Sequence, residues 1–579
     1  MSFHPPVAGV NDPPPDLPQP LDVAGTVPAP DEAVVGPLER GLSVLRAMSS
    51  PGQHRMRTSD LVHVTGLARS TVDRVVGTLA QLGYLRPAGR DMELTPRLLE
   101  LGNAYLTSSA IPDTLGPLAE RLADDLDESV SLAVPDGDGV RFVTRVSRRR
   151  TMSLAFRIGD LLPAERCAPG ALFARDWTEQ QWHAWRERRR TDPRDAAFPA
   201  VPARAGSTDP EAVEAEFAHR TEQASARGWS ADDQLIEPGL IAVAVPVTDP
   251  SGRAVCAVSV VSHTSRHCVQ SLSAAVLPRL RDEADGMQRA LTDTVERRDT
   301  KTFAQAAPTD AILATKKELG AGFLQSLARG LAVLTSLGTS TGGLTLSEVA
   351  AATALPRATA RRSLLSLAQL GYVAADGPRF RPLPRVLELG YTHLSGLDLA
   401  QIIQPHLERL VEAVHESASA TVLDGDDIRY VARIPTYRIM SVDITIGTRF
   451  PAYATSMGRV LLAGLDERER AARLGRVDLR PLTRRTVTDP DVLAQILRET
   501  AANGYALVDE ELEQGLRSIA VPLRDVTGAV VAAVNLSTHT GRGGPEHTVA
   551  TLLPALRRAA AGIEADLHVV SARTPLRLR

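Results

Sequence analysis

The feature that most constrains this chain is its similarity to itself. Gly83-Tyr84 returns as Gly371-Tyr372, Glu100-Leu101-Gly102 as Glu388-Leu389-Gly390, and Asp136-Gly137-Asp138 as Asp424-Gly425-Asp426, each 288 residues on. The same shift carries Gly159 to Gly447, Pro163 to Pro451 and Gly170 to Gly458. Further along the shift is 276, so that Gly228 matches Gly504, Gly239 matches Gly515, Pro246 matches Pro522 and His263 matches His539. The first copy therefore holds twelve extra residues between about 175 and 228, where Trp177, Trp182 and Trp185 also lie. A period this long is not that of a solenoid, whose units run to roughly 20–45 residues. It is a whole two-domain protein duplicated in tandem.

The 579 residues, 43% hydrophobic and 23% charged with a formal charge of −4, suit about three to five globular domains. The repeat makes the number four. No apolar run approaches the ~18 residues needed to cross a bilayer, so no membrane partner is expected, and three cysteines without paired spacing fit a reducing, cytoplasmic setting. Cys167, Cys256 and Cys268 lack the paired spacing of a zinc site or disulfide framework, and no phosphate loop appears, so neither metal nor cofactor is expected. Residues 1–36 hold nine prolines and no Lys or Arg, the composition of a disordered tail. The remaining boundaries are expected at 37–98 and 321–386 for two small domains, 99–291 and 387–570 for two large ones, 292–320 for the linker and 571–579 for a final tail.

Each copy opens with an apolar helical pattern, Leu38, Leu42, Val44, Leu45 and then Leu324, Leu327, Leu331, Val333, Leu334. Two shorter helices follow. In the second copy Ser347 can cap a helix through Ala352, Thr353-Ala354-Leu355 turns, and Pro356 starts a helix from Arg357 to Leu370. Its apolar side carries Ala360, Leu364, Leu367 and Leu370, its polar side Arg357, Thr359, Arg361 and Arg362. In the first copy Ser59 begins the helix, Gly66 turns, and Arg69, Ser70, Thr71, Asp73 and Arg74 precede Val75, Leu79 and Leu82. Short strands after Gly83-Tyr84 and Gly371-Tyr372 complete a winged helix-turn-helix pattern. Leu355 to Arg385 holds six arginines and one acid, Leu67 to Arg97 five against three, within an acidic chain. Arginine meets phosphates and guanine edges, and Ser and Thr reach phosphates, so Arg69, Ser70, Thr71, Arg74, Arg357, Thr359, Arg361 and Arg362 are candidate contacts to double-stranded DNA.

The large domains alternate short strands and helices. Ser417–Leu423, Ile428–Ile434, Met440–Ile446, Ile519–Leu523 and Ala529–Leu536 read as strands, with helices from about Ser456, over Pro490–Asn503 and at the end. An α+β fold with an antiparallel sheet is expected. The run from Ile446 to Leu465 (IGTRFPAYATSMGRVLLAGL) and that from Gly504 to Asp525 (GYALVDEELEQGLRSIAVPLRD) resemble the IclR family of bacterial transcription regulators, nearest the subgroup that controls aromatic-acid catabolism through protocatechuate and β-ketoadipate. The resemblance spans about 37–290 and 320–570, where the usual member has one copy. It implies a winged helix-turn-helix domain, a GAF-like effector domain and small carboxylate ligands.

Thr455 or Ser456 can cap the helix running through Met457, Gly458, Arg459 and Leu462, whose unpaired first-turn amides form an anion site. By resemblance, further pocket positions fall on Val508, Asp509, Ser518, Asn535 and Ser537, with Arg517 and His539 nearby in sequence. In the first copy the helix start reads Cys167-Ala168-Pro169-Gly170, and Pro169 removes an amide donor. Arg517, Ser518 and Ser537 become Ile241, Ala242 and Val261, while Asp232-Asp233 keep an acidic turn. The second copy is expected to sense the acid, and the first to be degenerate or to take a less polar ligand. The whole reads as a transcription regulator, an oligomer of tandem chains or a pseudo-dimeric monomer. A ligand-responsive scaffold without DNA binding is the alternative. An enzyme built on Cys167 with His263 or His539 is disfavoured, because Cys167 is matched by Thr455 and no nucleophile with its base recurs in both halves.

Overall fold

The first apolar pattern forms α1 (Pro37–Ser49), which buries Leu38, Leu42, Leu45 and Met48. A short strand, β1 (Arg55–Met56), leads to α2 (Thr58–Thr65), ended by Gly66 at φ 66°, a left-handed turn open to glycine at little cost. α3 (Arg69–Gln81) buries Val72, Val75, Val76 and Leu79 beneath its basic side. β2 (Leu85–Ala88) and β3 (Asp91–Leu94) complete an antiparallel wing in the order β1-β3-β2. The structure is a computed structural model, and it describes residues 36–148, 156–204, 209–296, 320, 322–436 and 444–573.

After α4 (Leu99–Ser109) and α5 (Ile111–Leu126), the first large domain builds β4 (Ser129–Asp136), β5 (Gly139–Val146), β6 (Leu161–Pro163), α6 (Ala168–Ala174), α7 (Glu179–Thr191), α8 (Pro210–Arg227), β7 (Ser230–Asp233), β8 (Leu240–Thr248), β9 (Ala254–His263) and α9 (Val269–Glu296). Its strands form one antiparallel sheet, β6-β5-β4-β9-β8-β7. Strand alternation gives the sheet two faces. Leu132, Val134, Val243, Val245, Val258 and Val260 join the core shared with α5 and α9, while Ala133, Phe142, Ala242 and Ala257 face α6 and α8.

The second copy repeats the plan. Its head comprises α10 (Gln325–Ser336), β10 (Leu344–Thr345), α11 (Leu346–Thr353), α12 (Arg357–Gln369), β11 (Val373–Asp376) and β12 (Arg379–Pro382). There follow α13 (Tyr391–Leu394), α14 (Leu399–Val414), β13 (Ser417–Asp424), β14 (Asp427–Ile434), β15 (Arg449–Pro451), α15 (Ser456–Ala463), α16 (Glu467–Leu474), α17 (Pro490–Asn503), β16 (Ala506–Asp509), β17 (Leu516–Arg524), β18 (Val530–His539) and α18 (Pro545–Ser571). The sheet order β15-β14-β13-β18-β17-β16 is that of the first copy.

Several sequence expectations need correction. Thr345, not Ser347, caps α11, because Thr345 and Glu348 form a reciprocal capping box. Of the expected strand Met440–Ile446, residues 440–443 lie outside the described residues, and Ile446 sits in a turn before β15. α9 continues to Glu296, so the linker begins later than 292; most of it, like residues 1–35 and 574–579, lies outside the described residues. The extra residues of the first copy lengthen the covering helices, 13 residues in α7 against 8 in α16 and 18 in α8 against 14 in α17.

The heads pack together through α1 and α10. Leu38 lies against Gly330 and Leu327 against Gly41, so closely that a methyl group on either glycine would overlap the opposing leucine. Leu38 and Leu327 are equivalent positions, as are Gly41 and Gly330, so the contact is reciprocal, the mark of an approximate two-fold axis. Asn103 and Tyr391, equivalent positions 288 apart, meet directly through a 3.2 Å hydrogen bond from the tyrosine hydroxyl to Asn103 Oδ1.

Candidate nucleic-acid interface and ligand pockets

On α3 and α12 the apolar residues are committed to the head cores, which leaves the other sides outward. Arg69, Ser70, Arg74, Arg357, Arg361 and Arg362 are exposed, and Thr71 and Thr359 are half-buried. Arg69 lies 3.9 Å from Asp73 one turn on, and Arg74 Nε donates to the Gly322 carbonyl at 3.3 Å, so Arg74 also ties the first head to the second. Sequence reasoning missed the wing arginines as individuals. Arg55, Arg57 and Arg90 on one wing and Arg379 and Arg381 on the other are exposed. Arg86 differs: it is drawn inward, with Glu93 at 3.0 Å and Asp566 of α18 at 3.6 Å. Only the strand register separates these roles.

In the second large domain, Thr455 caps α15, its Oγ1 accepting from Gly458 N at 3.0 Å. That occupies the Gly458 amide and leaves the Ser456 and Met457 amides in a first turn that has no intrahelical acceptor. Ser456 Oγ donates to Ser518 Oγ at 2.9 Å, which joins the helix start to β17. Cross-strand pairing sets Val508, Ser518, Ser537 and Ser417 in one row and Ala506, Ala520, Asn535 and Ser419 in the next. Asn535 is buried, donates from Nδ2 to Ser537 Oγ at 3.0 Å, and leaves Oδ1 without a partner. Ser456, Met457, Gly458, Ser518, Asn535 and Ser537 are thus brought to one side of the sheet.

Asp509 and Arg517 are not. They pair with each other across β16 and β17 at 2.7 Å, one residue out of step with Ser518, and Arg517 also donates to the Gly543 carbonyl beside α18. A one-residue step along a strand reverses the face, which a count of nearby charges does not register. His539 shares the strand face of Ser537 but lies at the end of β18, where its Nδ1 accepts from Gly541 N at 3.0 Å and its ring sits beside Gly515. Sequence reasoning also missed the brace behind the helix. Arg459, buried on α15, makes a bidentate pair with Glu511 at 2.8 and 2.6 Å.

The first large domain has a cavity at the equivalent place. It is lined by Phe142, Phe156, Cys167, Pro169, Ala242 and Val261, and its free volume is about 40 Å³. Here the rows read Asp232, Ala242, Val261, Ser129 and Ser230, Ala244, Ser259, Ser131. Cys167 starts α6 without a side-chain cap, and its thiol is buried, which pushes its pKa upward and does not suit a nucleophile. Ala171 and Leu235 replace the Arg459–Glu511 brace. A different arginine, Arg166, holds the same turn, donating to the Leu235 and Ile236 carbonyls at 3.0 and 2.8 Å and pairing with Asp195 at 3.0 Å.

No helix among the described residues is long and apolar enough to cross a membrane, and no cluster of three or more His, Cys, Asp or Glu there could hold a metal ion. Comparison with known proteins places both copies in one family. Residues 37–89 and 326–377 each match the IclR helix-turn-helix domain, and 103–289 and 391–565 each match the C-terminal domain of the bacterial transcriptional regulator IclR. Over 238 residues the chain is 46% identical to the Pca regulon regulatory protein of Pseudomonas putida, covering 41% of this chain and 82% of that protein. It is 34% identical over 242 residues to the Pca operon regulatory protein of Acinetobacter baylyi, 41% of this chain and 87% of the relative. It is also 34% identical over 243 residues to the p-hydroxybenzoate hydroxylase transcriptional activator of the same species, 41% of this chain and 90% of the relative.

Proposed function

The chain belongs to the IclR family of bacterial transcriptional regulators, duplicated in tandem, and from that premise we propose that one polypeptide reads two half-sites of an operator under control of an aromatic or β-keto acid. The observation that carries this is the reciprocal packing of Leu38 on Gly330 and Leu327 on Gly41, which sets the two heads about one approximate two-fold axis inside a single chain. Dimeric regulators match two-fold operators because each head meets an equivalent half-site. Here the heads differ, Arg69-Ser70-Thr71 against Arg357-Ala358-Thr359, so the operator is an imperfect palindrome.

The acid binds at the start of α15. Its carboxylate takes the amides of Ser456 and Met457 with the Ser456 and Ser518 hydroxyls, and a ring hydroxyl at the far end donates to Asn535 Oδ1. The relatives that regulate pca genes and p-hydroxybenzoate hydroxylase support this ligand class and a role at genes for aromatic-acid breakdown. Ligand binding changes operator affinity to the extent that it favours one arrangement of the heads over another.

The test is operator binding against salt concentration, with Arg361→Gln/Arg362→Gln beside the parent protein. Loss of two phosphate contacts lowers the slope of log affinity against log salt by about 2. An unchanged slope and affinity would show that the second head does not touch DNA. Thermal shift with protocatechuate, 4-hydroxybenzoate and β-ketoadipate then identifies the acid, since a ligand of the folded state raises its stability.

A further inference from the structure

We propose that the cavity of the first large domain is a second ligand site of different chemistry, taking an uncharged, hydroxyl-bearing aromatic molecule of the phenol class. The inference rests on reading the equivalent place in the second copy as a carboxylate site. Most of what serves the carboxylate there is missing in the first copy, although the Ala168 amide remains where Ser456 stands. Pro169 has no amide hydrogen, Cys167 supplies no cap, and Ala242 and Val261 stand where Ser518 and Ser537 offer hydroxyls.

An acid has also been added. Asp232, 1% exposed, occupies the row position of Val508 and lines the cavity. An anionic ligand could sit beside Asp232 only while that acid stays protonated, because like charges in a poorly solvated site repel strongly. A ligand hydroxyl instead donates to it. Asp232 Oδ1 accepts from Leu235 N at 2.8 Å, so the group is oriented. Arg145 also lines the cavity, and its guanidinium donates to the Phe156 carbonyl.

Two further polar atoms call for a partner. Ser131 and Ser259, 4% and 2% exposed, line the cavity side by side on β4 and β9, and neither hydroxyl has a hydrogen-bond partner. A buried polar atom left unmet is costly, and a ligand oxygen or a water recovers that loss. Beside them, with Phe142 on the neighbouring strand β5, Phe142 and Phe156 stack with centroids 5.6 Å apart and planes 9° from parallel, an aromatic wall suited to a flat ring. The Arg166 clamp on the Leu235–Ile236 turn keeps the wall beside Asp232 in place, although the Arg459–Glu511 brace is gone.

Calorimetry on the full chain, with phenol and benzoate as probes, tests the assignment. Phenol is expected to bind the parent protein, to be lost in Ala242→Leu, which fills the cavity, and to be unaffected by Ser518→Leu. Benzoate is expected to show the reverse. Ser131→Ala/Ser259→Ala leaves the cavity open and the packing intact, so it serves even where Ala242→Leu does not fold; phenol should weaken about tenfold. No phenol binding to the parent protein, phenol affinity unchanged in the double serine variant, or benzoate lost in Ala242→Leu would each overturn the proposal. Phenol binding as expected with no benzoate binding at all would overturn the carboxylate reading of the second copy and leave this one standing.

Discussion

Arg459, 3% exposed, and Glu511, 10% exposed, form the one buried bidentate pair between α15 and the turn that follows β16. Removing one member leaves the other charged in a place that water barely reaches, so Arg459→Met should destabilise the protein by about 3–5 kcal/mol. Arg459→Met/Glu511→Leu should recover most of that loss, since an apolar pair of similar volume needs no compensation. Urea midpoints of the three proteins check both statements. Asp232 gives a second prediction of opposite sense. Burial, the first cause, pushes its pKa up to about 7 from 3.8, with Asp233 adding to the rise and Arg220, Arg166 and the Leu235 amide opposing it. A raised carboxyl pKa means that the folded state prefers the protonated form. The contribution to stability is therefore complete below pH 4 and lost as pH climbs through 7. Asp232→Asn should flatten the fall in melting temperature between pH 5 and 8 and raise it at pH 8. At this scale the sequence disclosed which residue types stand at the helix start, but not the side of the sheet on which Arg517 falls. That depends on β17 register, which nearby charges leave undetermined.

The same three residues fold differently in the two linkers. Glu100-Leu101-Gly102 lies inside α4, whereas Glu388-Leu389-Gly390 breaks the equivalent helix, with Gly390 at φ 83° and only α13 of four residues beyond it. The propensity of these three residues cannot be the cause, because they are identical; what differs is the flank, Tyr391-Thr392-His393 against Asn103-Ala104-Tyr105, and the packing. A Cβ at Gly390 would press on Leu98 Cδ2, 2.8 Å away, in a backbone conformation that alanine resists. Gly390→Ala should thus cost more than about 1 kcal/mol, and the alternative open to it is a continuous helix like α4. Operator affinity and its response to acid should both change, measurable by titration with and without ligand. Elements with strong apolar periodicity, such as α1, α3, α10 and α12, were legible from sequence. α16 was not, because Glu467–Leu474 buries only Leu474 and offers little apolar pattern to read.

The internal repeat pointed to two heads and two sensors, and the fold shows how unequally they are joined. Arg86 of the first wing lies 3.6 Å from Asp566 on α18 of the second large domain, which also accepts from His406 Nε2 at 2.8 Å. The corresponding residue of the second wing is Ala374, which carries no charge, so an ionic tie of this kind has no counterpart there. This crossing could not be read from the sequence, because it joins residues 480 positions apart that follow no repeat shift.

If the heads act as one two-fold reader, their mutual packing fixes the separation of the half-sites. Gly41→Leu/Gly330→Leu places bulk where Leu327 and Leu38 now sit, and should part the heads without substituting any residue of α3 or α12. The parent protein should then bind a full operator tightly and lose affinity when five base pairs are inserted between the half-sites, since half a helical turn moves the second site to the opposite side of the duplex. The variant should bind the natural operator about tenfold or more weakly, because the heads remain tethered but are no longer held in register. Its affinity for a single half-site should be unchanged, and its response to the five-pair insertion should be small. Equal spacing dependence in the two proteins would mean that the sensor domains, and not the α1–α10 contact, set the distance between the heads.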